Sequence, residues 1–354
     1  IVGARLAGDD RVSSAFPNML ENSDHDVFRV LLRDTFALDR SLMSTKVAVI
    51  QKPPVLLDKQ ETIDRALNSI DEAVGEGAGL LVFPEAYIPG YPTWGWRLRP
   101  GGDMALAGEI HAGLRRNAVD LARGDLQPLQ DAAKKHGVCV VIGISELDSQ
   151  FSGTTLFNTV AVIGSEGEIL NRHRKLMPTN PERMTWGPGD GSGLRVVDTP
   201  AGRLGTLICW ESYMPLARYA LYAQGLDVFV IPTWDTSDTW LASMRHIAME
   251  GGCWVIATGT AMQGSDVPED FPEREQLFDD EEWINVGNAV VVKPMGEIVA
   301  GPLNKEKGIL YAAIDKDAAR RARRSFDVSG HYSRADILSL SVDRKPLDPV
   351  EFSD

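Results

Sequence analysis

Three side chains suited to nucleophilic chemistry stand where strands run out. Leu80 to Phe83 ends at Pro84-Glu85, Glu168 to Arg174 ends at Lys175, and Leu204 to Ile208 ends at Cys209-Trp210-Glu211. In open α/β sheets, ligands bind beyond the carboxyl ends of strands, where loops present side chains without disturbing the core. A cysteine attacks as its thiolate, and with an unperturbed pKa of about 8.5 it is mostly protonated at neutral pH, so it needs a base or a cation beside it. Glu85 precedes the stiff aromatic stretch Tyr87, Pro89, Gly90, Tyr91 and Pro92. Desolvation there raises a carboxyl pKa and makes the group a usable proton shuttle. Lys175, within His173-Arg174-Lys175-Leu176-Met177-Pro178-Thr179, is suited to hold a developing negative charge. Each has a plainer alternative: Cys209 as a strand-end core residue, Glu85 as a cap, Lys175 as one cation of an exposed basic cluster. Spacing alone does not bring the three together. Cys139, inside Val138-Cys139-Val140-Val141-Ile142, and Cys253, before Trp254-Val255-Ile256, read as small buried hydrophobes.

The elements that must position these residues alternate along the chain. Asp58 to Glu76 places Ile63, Ala66, Leu67, Ile70, Ala73 and Val74 on one helical face, and Gly77 and Gly79 end it. Further helical patterns cover Leu126 to Lys135, Leu216 to Gln224 and Thr239 to Glu250. Short apolar strands are expected at Leu80–Phe83, Val138–Ile144, Thr159–Ile163, Leu204–Ile208, Val228–Ile231, Trp254–Ala257, Ala289–Val292 and Ile309–Ile314. Such continuous apolar strands need both faces covered, so the class is α/β, and their number points to two sheets. With 354 residues, 44% hydrophobic and 24% charged, the chain is long enough for a sizeable core and ordinary in composition. The 36 Lys and Arg against 50 Asp and Glu leave a net charge of -14, which disfavours nucleic acid and anionic membranes as partners. Three cysteines are too few for a disulfide framework and point to a reducing cytoplasm. Residues 1–42 lack a signal-peptide apolar run and read as an N-terminal extension outside the fold, with Met43 as the expected natural start. Residues 43–340 read as one domain, the stretch from Asp266 to Glu282 as a solvated acidic insertion, and residues 341–354 as a frayed tail.

Phe83-Pro84-Glu85-Ala86-Tyr87-Ile88-Pro89-Gly90-Tyr91-Pro92, His173 to Thr179, and Cys209-Trp210-Glu211-Ser212-Tyr213-Met214-Pro215 resemble, in family order, the three catalytic signatures of the nitrilase superfamily of carbon-nitrogen hydrolases. The continuation Glu182-Arg183-Met184-Thr185-Trp186-Gly187-Pro188-Gly189 resembles its true nitrilase branch. The resemblance implies a four-layer α-β-β-α sandwich and subunits that pair through an outer face, growing in some members into spirals. It implies Cys209 as nucleophile, Glu85 as general base and acid, Lys175 as the cation that stabilises the adduct, and Glu182 as a second carboxylate that positions substrate and lysine. The chemistry it implies is hydrolysis of an organic nitrile to a carboxylic acid and ammonia, with no metal or organic cofactor.

The aromatic residues near the motifs, Tyr91, Trp186, Trp210 and Tyr213 with Tyr87, Trp94 and Trp96, would form an apolar wall for an aryl or arylalkyl nitrile, or else belong to the core or a subunit contact. An aliphatic amidase and a cyanide hydratase or dihydratase share the catalytic residues and are the rival enzymes. A thiol redox sensor built on Cys209 lacks a nearby resolving cysteine. Gly187 to Gly193 lacks the Gly-Lys-Ser/Thr of a phosphate loop, the six histidines lack zinc spacing, and Arg320-Arg321-Ala322-Arg323-Arg324 reads as a helix face or subunit contact in so acidic a chain.

Overall fold

A computed structural model describes residues 44–351 and 353, so the expectations for residues 1–42 and Met43 lie outside the described residues. The elements begin β1 (Ser44–Ile50), α1 (Lys59–Gly75), β2 (Leu80–Val82), α2 (Met104–Arg116), α3 (Gln127–His136), β3 (Cys139–Leu147), β4 (Leu156–Ile163) and β5 (Ile169–Arg174). They continue β6 (Val197–Thr199), β7 (Gly202–Thr206), α4 (Pro215–Tyr222), β8 (Val228–Pro232), α5 (Asp238–Gly251), β9 (Trp254–Thr258) and β10 (Ala261–Gln263). The last are α6 (Arg274–Leu277), β11 (Trp283–Val292), β12 (Ile298–Asn304), β13 (Ile309–Asp315) and α7 (Lys316–Arg323).

Strand side chains alternate between two covered faces, which explains their unbroken apolar sequences. In β1, Val47 and Val49 enter one cluster while Ala48 and Ile50 enter another. In β8, Val228 and Val230 share the cluster of Val47, while Phe229 and Ile231 face the opposite way. The strands form a six-stranded sheet, β13-β1-β2-β3-β4-β5, and a seven-stranded sheet, β10-β11-β9-β8-β7-β6 with β12 on β11. Each has a parallel centre, β1-β2-β3 in one and β7-β8-β9 in the other, flanked by antiparallel strands.

The cluster holding Val47, Val49, Leu80, Val82, Val228, Val230, Ile256 and Val291 draws on both sheets and lies between them. Ile63, Ala66, Ile70 and Ala73 of α1, with Leu129 and Ala133 of α3, cover the outer face of the first sheet, and Met244 and Ile247 of α5 with Leu221 of α4 cover that of the second. The result is the α-β-β-α layering expected. Each fully buried Val, Leu or Ile contributes about 1.5–3 kcal/mol to holding the layers together. Helix α1 starts where Asp58 caps it, its Oδ1 accepting the Glu61 N–H at 2.9 Å, and the chain leaves through Gly77 at φ +80°.

Two expectations need correction. The stretch from Asp266 to Glu282 is not merely solvated: Val267, Phe271 and Phe278 are buried beside Trp94, with Phe271 5.6 Å from Trp94 ring to ring. Arg97 grips Glu282 through two hydrogen bonds of 2.8 and 3.1 Å, so the acidic residues form the outer skin of an apolar patch. The chain after Val342 is exposed and irregular, but it is fastened at one point, where the Leu347 N–H donates to Asp190 Oδ2 at 3.0 Å. Helix α2, absent from the sequence expectations, buries only Ile110, Gly113 and Leu114, too few to stand out as a periodic stripe.

Candidate active site

Four strand ends and one mid-strand residue bring the site together. Glu85 follows β2, Lys175 follows β5, Cys209 follows β7, Thr233 follows β8, and Asn158 lies in β4. The Lys175 N–H donates to Asn158 O at 2.8 Å, which fixes the lysine's backbone to the neighbouring strand. Glu182 sits on the single turn Asn180–Met184, opened by Thr179, whose N–H donates to Glu182 Oε2 at 2.7 Å.

The carboxylates and the lysine form one buried chain. Lys175 Nζ donates to Glu85 Oε1 and to Glu182 Oε2, both at 2.8 Å, and all three side chains are almost wholly shielded from solvent. Asn158 Nδ2 donates to the same Glu85 Oε1 at 2.7 Å, and Tyr91 Oη donates to Glu182 Oε1 at 2.7 Å. Glu85 Oε2 is buried and has no protein hydrogen-bond partner. Three of the four oxygens are thus engaged and one is free to take a proton.

Charge and burial set the protonation tendencies. Burial pushes the Glu85 carboxyl up, Lys175 opposes this, and the net shift is upward. Burial by itself lowers a lysine pKa, but the charges of Glu85 and Glu182 and the Glu182 hydrogen bond outweigh it and hold Lys175 as a firm ammonium. Burial, then the Glu85 charge, pushes the Cys209 thiol up to about 12, against Lys175 and a Thr233 hydroxyl that donates to Sγ at 3.3 Å. Cys209 therefore rests as a thiol and feels the charges of Glu85, Lys175 and Glu182 together. Its φ of +53° is a left-handed conformation rare outside glycine and costs of order 1–3 kcal/mol, which a tight turn after a strand imposes to present Sγ. Ser212 Oγ holds that turn by donating to Cys209 O at 2.7 Å.

The four aromatic candidates divide into two pairs. Tyr91 and Trp186 are buried and meet edge to face at 5.7 Å, and Tyr91 stacks on Trp234 at 4.2 Å with the rings nearly parallel. Trp186 Nε1 donates to Ser145 Oγ at 3.2 Å, which anchors it in the core beside the site. Trp210 is 45% exposed, donates through Nε1 to Asp235 Oδ2 at 2.7 Å, and meets Tyr213 at 6.1 Å, which in turn packs on Trp240. Tyr91 thus reaches the Glu85–Lys175–Glu182 chain directly, while Trp210 and Tyr213 belong to the turn that carries Cys209. Cys139 and Cys253 are buried hydrophobes, as expected.

Asn158, Thr233 and Trp234 escaped the sequence reading. Thr233 obeys the rule that found Cys209, a polar residue ending an apolar strand, here after Val228 to Pro232, whereas Asn158 is visible only as an amide inside a buried strand.

The carbon-nitrogen hydrolase family model matches residues 46–324. An aliphatic nitrilase from Sinorhizobium fredii is 40% identical over 86% of this chain and 97% of its own. Nitrilase 1 from Arabidopsis thaliana is 40% identical over 87% and 90%, and a bifunctional nitrilase/nitrile hydratase from Lupinus angustifolius is 37% identical over 89% and 90%. Among solved structures, a carbon-nitrogen hydrolase from Helicobacter pylori shares the fold with a TM-score of 0.64 at 20% identity, covering 83% of this chain and 96% of that one. With the match running through every strand that supports the buried Glu-Lys-Glu chain and Cys209, this chain belongs to the carbon-nitrogen hydrolase family, in its nitrilase branch.

Proposed function

We propose that the chain is a nitrilase that converts an organic nitrile and two waters to a carboxylic acid and ammonia, with Cys209 as nucleophile and Glu85 as proton shuttle. The observation that carries this reading is the unpartnered Glu85 Oε2 in a buried chain held by Lys175, in the field of a thiol that rests protonated. Glu85 accepts the Sγ proton as the sulfur attacks the nitrile carbon and passes it to nitrogen, giving a thioimidate. Water, giving its proton to Glu85, adds to the thioimidate carbon, and the nitrogen takes that proton to become an amine. Loss of ammonia leaves a thioester, and a second water releases the acid and returns the thiol. The Lys175 ammonium stabilises the negative charge that builds during each addition. Glu182 orients that ammonium, being hydrogen-bonded to it and to Tyr91 Oη.

The Tyr91, Trp186 and Trp234 rings, with Trp210 and Tyr213 on the turn that carries Cys209, support an aryl or arylalkyl nitrile as substrate class. Residues 43–340 act as one hydrolase domain, and copies assemble as homo-oligomers from a dimer. Among the described residues no helix is long and apolar enough to cross a membrane. The three unpaired cysteines suit a reducing compartment, and we place the enzyme in the cytoplasm.

The test is the products formed from phenylacetonitrile, with phenylacetamide and a short aliphatic dinitrile in parallel. Acid and ammonia from the aryl nitrile, with the amide untouched, is the expected result. Turnover of the amide alone makes the chain an amidase, amide as the main nitrile product means that the tetrahedral species expels the thiol instead of ammonia, and better turnover of the dinitrile removes the aryl preference.

A further inference from the structure

Among the buried groups that the mechanism does not use are the Glu211 carboxylate and the His173 imidazole. Glu211 lies two residues after Cys209, and its side chain and that of His173 are fully shielded from solvent. Glu211 Oε1 accepts the Leu176 N–H at 2.8 Å, and Oε2 accepts the Ile208 N–H at 2.8 Å. His173 Nε2, 2.9 Å from both oxygens, donates to the same carboxylate. Leu176 directly follows Lys175, and Ile208 directly precedes Cys209. The first belongs to the chain leaving β5 in one sheet, the second to the chain leaving β7 in the other.

One carboxylate therefore fastens the backbone beside the lysine to the backbone beside the cysteine, across the two sheets. We propose that Glu211, steadied by His173, is a positioning residue that sets the placement of Lys175 relative to Cys209 Sγ. The proposal rests on the roles given above to Cys209 and Lys175. Glu211 does not touch the reacting atoms: both its oxygens are taken by three donors. A charge-assisted acceptor shared by two main-chain N–H groups holds loops more rigidly than packing does, and a misplacement of about 1 Å at reacting groups costs about 100-fold in rate.

Glu211→Gln makes the point cleanly, because whichever way the amide turns, its NH2 faces one of the two N–H donors and that loop loses its anchor. His173→Gln keeps a donor near the position of Nε2, while His173→Leu keeps volume without a donor. The measurements are kcat and KM on the nitrile, thermal unfolding, and the pH profile of Cys209 alkylation by iodoacetamide, read by peptide mass mapping. In E211Q, kcat is expected to fall about 100-fold with KM within about threefold. The alkylation midpoint should move upward, because the sulfur loses the nearby ammonium; simple removal of a negative charge would move it downward. H173Q should stay within about fivefold of the parent, with H173L at least about tenfold lower.

A folded E211Q with kcat within about threefold of the parent, or an alkylation midpoint that stays or falls, overturns the proposal. If E211Q does not fold, the His173 pair decides: H173Q falling as far as H173L, folded or not, overturns it. Alkylation needs no nitrile, so a parent chain that turns over no nitrile sinks the proposed function while the alkylation profiles still test the positioning role. Normal parent turnover with unaffected variants sinks the positioning role alone.

Discussion

Glu85→Gln isolates the proton shuttle with little structural disturbance. The amide oxygen can keep both bonds now made to Oε1, from Lys175 and Asn158, and the NH2 takes the place of Oε2, which has no protein partner to offend. What disappears is the acceptor for the thiol proton. With the Cys209 thiol pushed up to about 12, only about one molecule in 10⁵ carries the thiolate at pH 7. That upward shift is the barrier the shuttle has to overcome. Removing the Glu85 charge relieves part of it, since that charge is the second cause of the thiol's shift. A fall in kcat/KM of about 10³- to 10⁵-fold is expected, at or above the usual range for a lost general base. The variant should recover about tenfold per pH unit on going from pH 7 to 10, because solvent then removes the proton that Glu85 no longer takes. Ammonia release across that pH range, with a thermal melt to show an intact fold, is the assay. Retention of more than about a tenth of parental kcat/KM at pH 7, or a flat pH profile, would refute the reasoning.

Lys175→Met leaves Glu85 and Glu182 buried without a cation, so stability should drop by about 3–5 kcal/mol in denaturant titration and turnover by at least about 100-fold. An unchanged unfolding midpoint would contradict the buried ion chain. Thr233→Val removes the hydroxyl that donates to Sγ, worth about 1 kcal/mol, and should slow kcat/KM about fivefold while moving the Cys209 alkylation midpoint upward. A midpoint that does not move would show that the hydroxyl does not serve the sulfur. Asp58→Ala removes the N-cap of α1 and should cost about 1 kcal/mol in unfolding with kcat unchanged, because α1 covers the outer face of its sheet, away from the site.

The sequence by itself determined the layers and the candidate site residues. Unbroken runs such as Leu80 to Phe83 and Val228 to Ile231 are readable because burial on both faces leaves no polar position, and α1 is readable because one buried face recurs every turn. Glu85 and Cys209 stood out because each follows a short apolar run, and Lys175 because it follows a strand within a motif. Tertiary structure alone decided how they meet. A separation of 90 residues between Glu85 and Lys175 carries no record of a 2.8 Å contact, since that contact depends on the order β2-β3-β4-β5 in the sheet and on where the chain turns after β2 and β5. Asn158 and Thr233 are likewise anonymous along the chain, and gain meaning only where β4 and β8 place them against Oε1 and Sγ. The acidic stretch misled because charge density is local while the burial of Phe271 and Phe278 depends on a distant partner, Trp94. Local patterning records what each segment buries; which side chains share a site is fixed by contacts between residues far apart in sequence.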